Sequence, residues 1–202
     1  MRVVAFTGMP GAGKSEAVEE ARRRGLPVVS MGDFVRAEVR AQNLEPTDEN
    51  VGRVATAMRK QHGADHWAQR TADRIEQEWK DRPLVVIDGV RTLIEVETFR
   101  KRLGSSFHLV AIDAPFEVRA DRLRARGRSD DAKEKTLVEK RDERERAWGI
   151  EQAIASADTH IVNTPPLSDF RQRIDRLFED LTRPAAPGSG TSGRGVSSGT
   201  RP

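Results

Sequence analysis

The sequence predicts an α/β fold, a parallel five-stranded sheet flanked by helices, and three observations predict it. Short, nearly all-apolar runs (residues 2–7, 83–88 and 107–113) alternate with longer amphipathic stretches. Strands buried on both faces alternate with crossover helices in this way. The first run passes directly into Gly8-Met9-Pro10-Gly11-Ala12-Gly13-Lys14-Ser15, which matches G-x-x-x-x-G-K-[ST] and is followed by a helix-favouring stretch. That is the strand–loop–helix context of a phosphate-binding loop. A later run ends Val86-Ile87-Asp88-Gly89, placing an acid at a strand tip. Open α/β sheets bind their ligands at the carboxyl ends of strands.

The elements follow in order. Residues 2–7 are the first buried strand and 16–24 the first helix, stopped by Gly25. A second strand at 26–30 precedes a helix from about 33 to 43, with Gly32 turning the backbone and Asp33 as its cap. Thr47, followed by Asp48 and Glu49, caps a helix to about His62 that Gly63 breaks. Asp65 is placed to cap the next, to about Lys80. Strands at 83–89 and 107–113 follow, then Pro115 and an arginine-rich helix. A short strand at 159–162 precedes a helix at 169–181, with Phe170, Ile174, Leu177, Phe178 and Leu181 on one face. From about Pro184 the chain turns to Pro, Gly, Ser and Thr, the composition of a disordered tail. The reading is one domain over 1–183 and a tail over 184–202.

Composition narrows the function. The net charge is +3, but without the tail's Arg194 and Arg201 the balance falls to 33 basic against 32 acidic residues. A near-neutral domain does not announce nucleic-acid binding. There is no cysteine, which excludes disulfides, thiolate metal sites and cysteine nucleophiles. No apolar run approaches a membrane span, and the N-terminal strand runs straight into the loop, so a cytoplasmic protein without a membrane partner is expected. His62, His66, His108 and His160 lack metal-ligand spacing and read as structural or exposed.

Within the loop, the glycines let the backbone wrap a polyphosphate, and the helix after it adds a positive N-terminal end. Lys14 is expected on the β- and γ-phosphates of a nucleoside triphosphate, and the Ser15 hydroxyl on Mg²⁺. Asp88 either orders that Mg²⁺, directly or through water, or starts a turn. Arg36, one turn into its helix, is either a phosphate clamp or a solvated arginine, and Arg91 is a second candidate clamp. Arg122 and Arg126 share a helix face, Gly127 releases the chain towards Arg128, and Arg141 returns from the next helix. Phosphoryl transfer needs cations round the moving group and exclusion of water, which a short arginine lid over about 122–142 supplies. The bland readings are a solvated face, as residues 140–146 suggest in part, or an RNA-binding strip. Interleaved acids and the lack of stacking aromatics count against the latter.

These residues resemble those of nucleoside monophosphate kinases. Gly32-Asp33-x-x-Arg36 is similar to adenylate kinase's acceptor motif, and Asp88-Gly89-Val90-Arg91 to its Asp-Gly-Phe-Pro-Arg, shortened by one residue. Asp121-Arg122-x-x-x-Arg126 and Arg128-Ser129-Asp130-Asp131, with Arg141, resemble the two sides of its lid, most of that domain being absent. Ala157-Asp158-Thr159-His160-Ile161-Val162-Asn163 resembles a dephospho-CoA kinase segment leading to the adenine side of the site. Overall the chain is similar, through residue 180 or so, to a family of archaeal P-loop proteins described as dephospho-CoA-kinase-like or nucleotide-kinase-like. The resemblance runs through the loop, Pro46-Thr47-Asp48-Glu49-Asn50-Val51-Gly52, Ile87-Asp88-Gly89-Val90-Arg91 and Gly127-Arg128-Ser129-Asp130-Asp131.

The resemblance implies a P-loop kinase fold, ATP with Mg²⁺, and transfer to a small-molecule nucleotide acceptor: a nucleoside monophosphate first, dephospho-CoA next. The expected triphosphate site is the 8–15 loop with Arg122, and the metal site Ser15 and Asp88. The expected acceptor site is Asp33, Arg36 and Arg91, and the transferring group meets Lys14, Arg126, Arg128 and Arg141. A regulatory NTPase and an RNA-processing ATPase are the rival readings.

Overall fold

The computed structural model describes residues 1–126, 135–164 and 166–183. Five strands, β1 (Arg2–Thr7), β2 (Val28–Ser30), β3 (Leu84–Asp88), β4 (Phe107–Asp113) and β5 (Thr159–Val162), form one sheet in the order β2-β3-β1-β4-β5. Every pairing is parallel. The period-two alternation of a strand explains why the middles of β1, β3 and β4 are apolar on both faces. Val3 and Ala5 face one side with Val85, Ile87 and Leu109; Val4 and Phe6 face the other with Leu84, Val86, Val110 and Ile112.

Helices cover both faces. The first side is closed by α2 (Met31–Ala41), α3 (Asp48–His62), α4 (His66–Glu78), α5 (Leu93–Leu103) and α8 (Ile150–Ala155), through Val35, Ala55, Trp67, Ile75, Phe99 and Ala153. The second is closed by α1 (Lys14–Arg23) and α9 (Leu167–Thr182), through Ala17, Ala21, Phe170, Ile174 and Phe178. A smaller cluster of Ala120, Leu123 and Val138 joins α6 (Phe116–Arg126) to α7 (Lys135–Ala147). No helix among the described residues is long and apolar enough to cross a membrane.

Several boundaries move, each for a local reason. The second strand is shorter than the 26–30 expected, because Leu26 N–H still closes onto Ala21 at the end of α1. The following helix starts two residues early, at Met31, so Gly32 lies inside its first turn and makes no separate bend. Asp33 is therefore not the cap; its carboxylate accepts from Arg36 at 2.6 Å. Asp65 stands at the N-cap of α4 but makes no capping hydrogen bond, accepting instead from Gln69 Nε2 at 2.9 Å. Thr47 does cap, accepting from the Asn50 N–H, and Gly63 ends α3 at φ 108°. Helix α5 was not assigned from the sequence, though its signal is there: Thr92 and Glu95 form a reciprocal capping box. His62 and His66 stack at 5.0 Å despite Gly63 between them.

Candidate active site

The carboxyl ends of β1, β2 and β3 lie side by side, with Phe6 and Ser30 both opposite Asp88. The loop after β1 is held from several directions. Thr7 Oγ1 donates to the Val90 carbonyl at 2.9 Å, tying the tip of β1 to the turn after Asp88. Arg119 Nη1 donates to the Pro10 carbonyl at 3.0 Å, and Asn163 Nδ2 to the Ala12 carbonyl at 2.7 Å. Gly8 and Gly13 have positive φ, 140° and 120°. A Cβ on Gly8 would strike the Ile112 carbonyl and one on Gly13 the Asn163 amide, so the loop's shape forbids side chains there. Helix α1 then begins with no side-chain cap.

These elements frame a cleft of about 190 Å³. Gly8, Pro10, Gly11, Gly13, Lys14 and Ser15 line one wall. Asp88, Arg36, Arg91, Arg122 and Arg141 converge on it from β3, α2, the β3–α5 loop, α6 and α7. Three predicted residues stand off this lining. Met9 and Ala12 turn their carbonyls to Lys14 and Asn163, and Asp33 is exposed on α2. The Arg126 side chain and Arg128 lie outside the described residues, as do the middle of the expected lid and the tail from 184.

Lys14 is half-buried as a residue, but its ammonium is enclosed by the loop and donates to the Gly8 and Met9 carbonyls. Burial lowers its pKa from 10.5 to about 8, against the opposing pull of Asp88 and Glu145. Burial also works against the charge of Arg91, but Glu145, Glu95, Asp88 and Asp48 outweigh it and raise its pKa. Burial alone lowers that of Arg122, whose guanidinium lies 3.1 Å from Asn163 Oδ1.

Sequence reasoning missed the acids that hold these arginines. Arg91 pairs with Glu145 at 2.6 Å, Arg59 with Glu95 at 2.7 Å, and Arg144 with Asp48 at 2.8 Å. Arg119 forms a two-bond pair with Asp142, at 3.0 and 2.6 Å, joining α6 to α7. The charged run 140–146 is thus not wholly a solvated face: Asp142 and Glu145 are buried while Lys140, Glu143 and Arg146 are exposed. The signal was the spacing from Val138, since 138, 142 and 145 share one helical stripe. Among the described residues no cluster of three or more His, Asp or Glu is poised to hold a metal ion.

Fold and cleft together define a P-loop α/β protein of kinase-like architecture. A gluconokinase from Sinorhizobium meliloti shares this fold at TM-score 0.53 and 18% identity, over 89% of this chain and 95% of that one. The protein TT1252 from Thermus thermophilus does so at TM-score 0.59 and 21% identity, over 90% and 98%. A family model described as an AAA domain matches residues 7–137. UPF0200 proteins of Methanosarcina barkeri and Methanosarcina acetivorans are 43% and 45% identical over 183 residues, 91% of this chain and 97% of each relative. A UPF0200/UPF0201 protein of Archaeoglobus fulgidus is 44% identical over 183 residues, which span 57% of its length. The chain belongs to the UPF0200 family.

Proposed function

We propose that this protein is an ATP-dependent phosphotransferase that passes the γ-phosphoryl group to a nucleotide-type acceptor, a nucleoside monophosphate in the favoured reading. One observation carries it: a single cleft joins a phosphate-binding loop and a strand-tip acid to Arg36, Arg91, Arg122 and Arg141. Arg36 and Arg91 reach the cleft from α2 and the β3–α5 loop, beyond the phosphate loop, which leaves them for a second anionic group. The gluconokinase that shares this fold agrees with this reading.

The chain's residues fit the roles. The uncapped start of α1 and the loop amides meet the β- and γ-phosphates, where Lys14 exchanges its loop carbonyls for phosphate oxygens. Ser15 and Asp88, both lining the cleft, suit Mg²⁺, which takes one or two protein oxygens and completes its shell with phosphates and water. That ion would neutralise charge developing on the phosphates during transfer. Arg36 and Arg91 orient the acceptor phosphate, and Arg122 and Arg141 close on the moving group with Arg126 and Arg128. An acceptor oxygen bonds to the γ-phosphorus, the bond from that phosphorus to the β–γ bridging oxygen breaks, and ADP leaves. The acceptor phosphate is already ionised, so no general base is required.

A second acceptor reading, a hydroxyl as in dephospho-CoA, is favoured by one feature. Glu145 Oε2 is buried in the cleft wall without a hydrogen-bond partner among the described residues, as a base for a hydroxyl proton would be. The test is ATP consumption with Mg²⁺ against AMP, GMP, CMP, UMP, their deoxy forms and dephospho-CoA, beside a control without acceptor. One acceptor raising turnover well above the control is the expected result, and Lys14→Ala should abolish at least about a hundredfold of it while the protein stays folded. Equal slow turnover in every well would instead mark a regulatory NTPase.

A further inference from the structure

Behind the acceptor clamps the cleft continues into a narrower chamber of about 40 Å³, which shares Gly32, Arg36, Gly89, Arg91 and Arg141 with it. Its sides are apolar: Val35, Val51, Ala55 and Trp67. Its described polar side chains, Asp48 apart, are all donors. Among the described residues Asp48 is the one carboxylate on the lining, and it already accepts from Arg144 at 2.9 and 2.8 Å, with Arg141 3.6 Å away. Two carbonyls on the lining are also taken, that of Ala55 by Trp67 Nε1 and that of Gly52 by Thr56.

Arg59 is the odd member. Glu95, fully buried behind it, engages Nη2 at 2.7 Å, and its plane lies against the Trp148 ring at 5.3 Å. Its Nε and Nη1 are buried with no hydrogen-bond partner among the described residues. Arg144 Nε is in the same condition. Buried donors without acceptors are costly, and a ligand that supplies acceptors recovers that cost. A ligand that brings further donors does not.

We propose that this chamber reads the acceptor's base, and that Arg59 selects bases presenting a carbonyl oxygen over adenine. This rests on the nucleotide-acceptor reading above. A 6-oxopurine offers O6, an acceptor for one of those unpartnered donors. Adenine places its N6 amino group, a donor, where O6 would be, and neither Arg59 nor Arg144 can accept from it. Sites built to hydrogen-bond a group reject the analogue lacking it far more sharply than apolar pockets reject a methylene.

IMP and AMP isolate the claim, since at the base they differ by the C6 oxygen with its N1 proton against the amino group with a bare N1. With wild-type protein, ATP and Mg²⁺, kcat/KM for IMP should exceed that for AMP by about tenfold or more, GMP following IMP. Arg59→Gln, whose amide both donates and accepts, should shrink that ratio towards one with little change in the ATP KM. Arg59→Lys, which keeps the charge beside Glu95, should retain part of the preference. AMP matching or exceeding IMP in the wild type overturns the proposal while leaving the kinase intact. If no monophosphate raises turnover, the acceptor reading itself fails, and with it this assignment. The first comparison needs no variant, so a folding defect on losing the partner of Glu95 leaves the result decisive.

Discussion

At the scale of single residues, Lys14 links structure to a measurable proton. With its pKa lowered to about 8 from 10.5, the unfolded chain between those values holds a proton that the folded chain has released. Stability from this group therefore rises with pH across that window and is depressed by a constant amount below it. A triphosphate beside the ammonium raises the pKa again, so nucleotide binding in the window takes up a proton. Calorimetry at about pH 9 in buffers of different ionisation enthalpy should show a buffer-dependent heat that Lys14→Ala removes. A heat independent of buffer would mean that Lys14 does not meet the phosphates. Arg91 calls for a gentler change than deletion, because Ala would leave Glu145 buried without its partner. Arg91→Lys keeps the charge and loses the planar fork, and should raise the acceptor KM much more than the ATP KM. Equal rises would end its assignment as an acceptor clamp. Residue identity was legible where a motif names it, as for Lys14, Ser15 and Asp88. Arg59, Glu95 and Glu145 carry no local mark, since an arginine or glutamate in a charged helix looks the same whether it faces water or a buried partner.

At the scale of elements, α6 and α7 are joined by a buried ion pair as well as by the Ala120, Leu123 and Val138 cluster. Arg119 and Asp142 are almost wholly buried, with side-chain exposures of 5% and 2%, and Arg119 also supports the Pro10 carbonyl of the phosphate loop. Removing the acid leaves a buried cation, so Asp142→Ala should cost about 3–5 kcal/mol in urea denaturation. Its effect on ATP affinity should exceed that of an equally destabilising core change such as Ile174→Ala, because the loop loses its brace. Equal effects on ATP would reduce the pair to a stability role. The central strands were legible because a strand covered on both faces is apolar at nearly every position along its middle. Helix starts were less so: at Ser30 and Asp65 several residues compete as caps, and tertiary packing chose starts that leave Asp33 and Asp65 to side-chain partners.

At the scale of the whole molecule, the last described helix completes the layer over one face of the sheet. Helix α9 closes one face with Phe170, Ile174 and Phe178, all buried. A chain ending at residue 183 should melt at the same temperature as the full chain and keep its turnover. One ending at 166 should lose the cooperative transition, as Phe178→Ala alone is worth about 3–5 kcal/mol. A marked loss of stability or turnover on removing only residues 184–202 would show that the tail belongs to the fold or the site.

The sequence by itself determined the α/β class, the phosphate loop and the acid at the tip of β3. Those features are written in contiguous residues: continuous apolar runs, a motif of eight positions, and a strand that ends in Asp88. Only the tertiary structure decided which arginines share a cleft and which acids restrain them. Arg59 on α3 meets Glu95 on α5, Arg91 meets Glu145 on α7, and Arg119 meets Asp142, across separations of 36, 54 and 23 residues. Local propensity and periodicity say which face of a helix is buried; they do not say which other helix it is buried against.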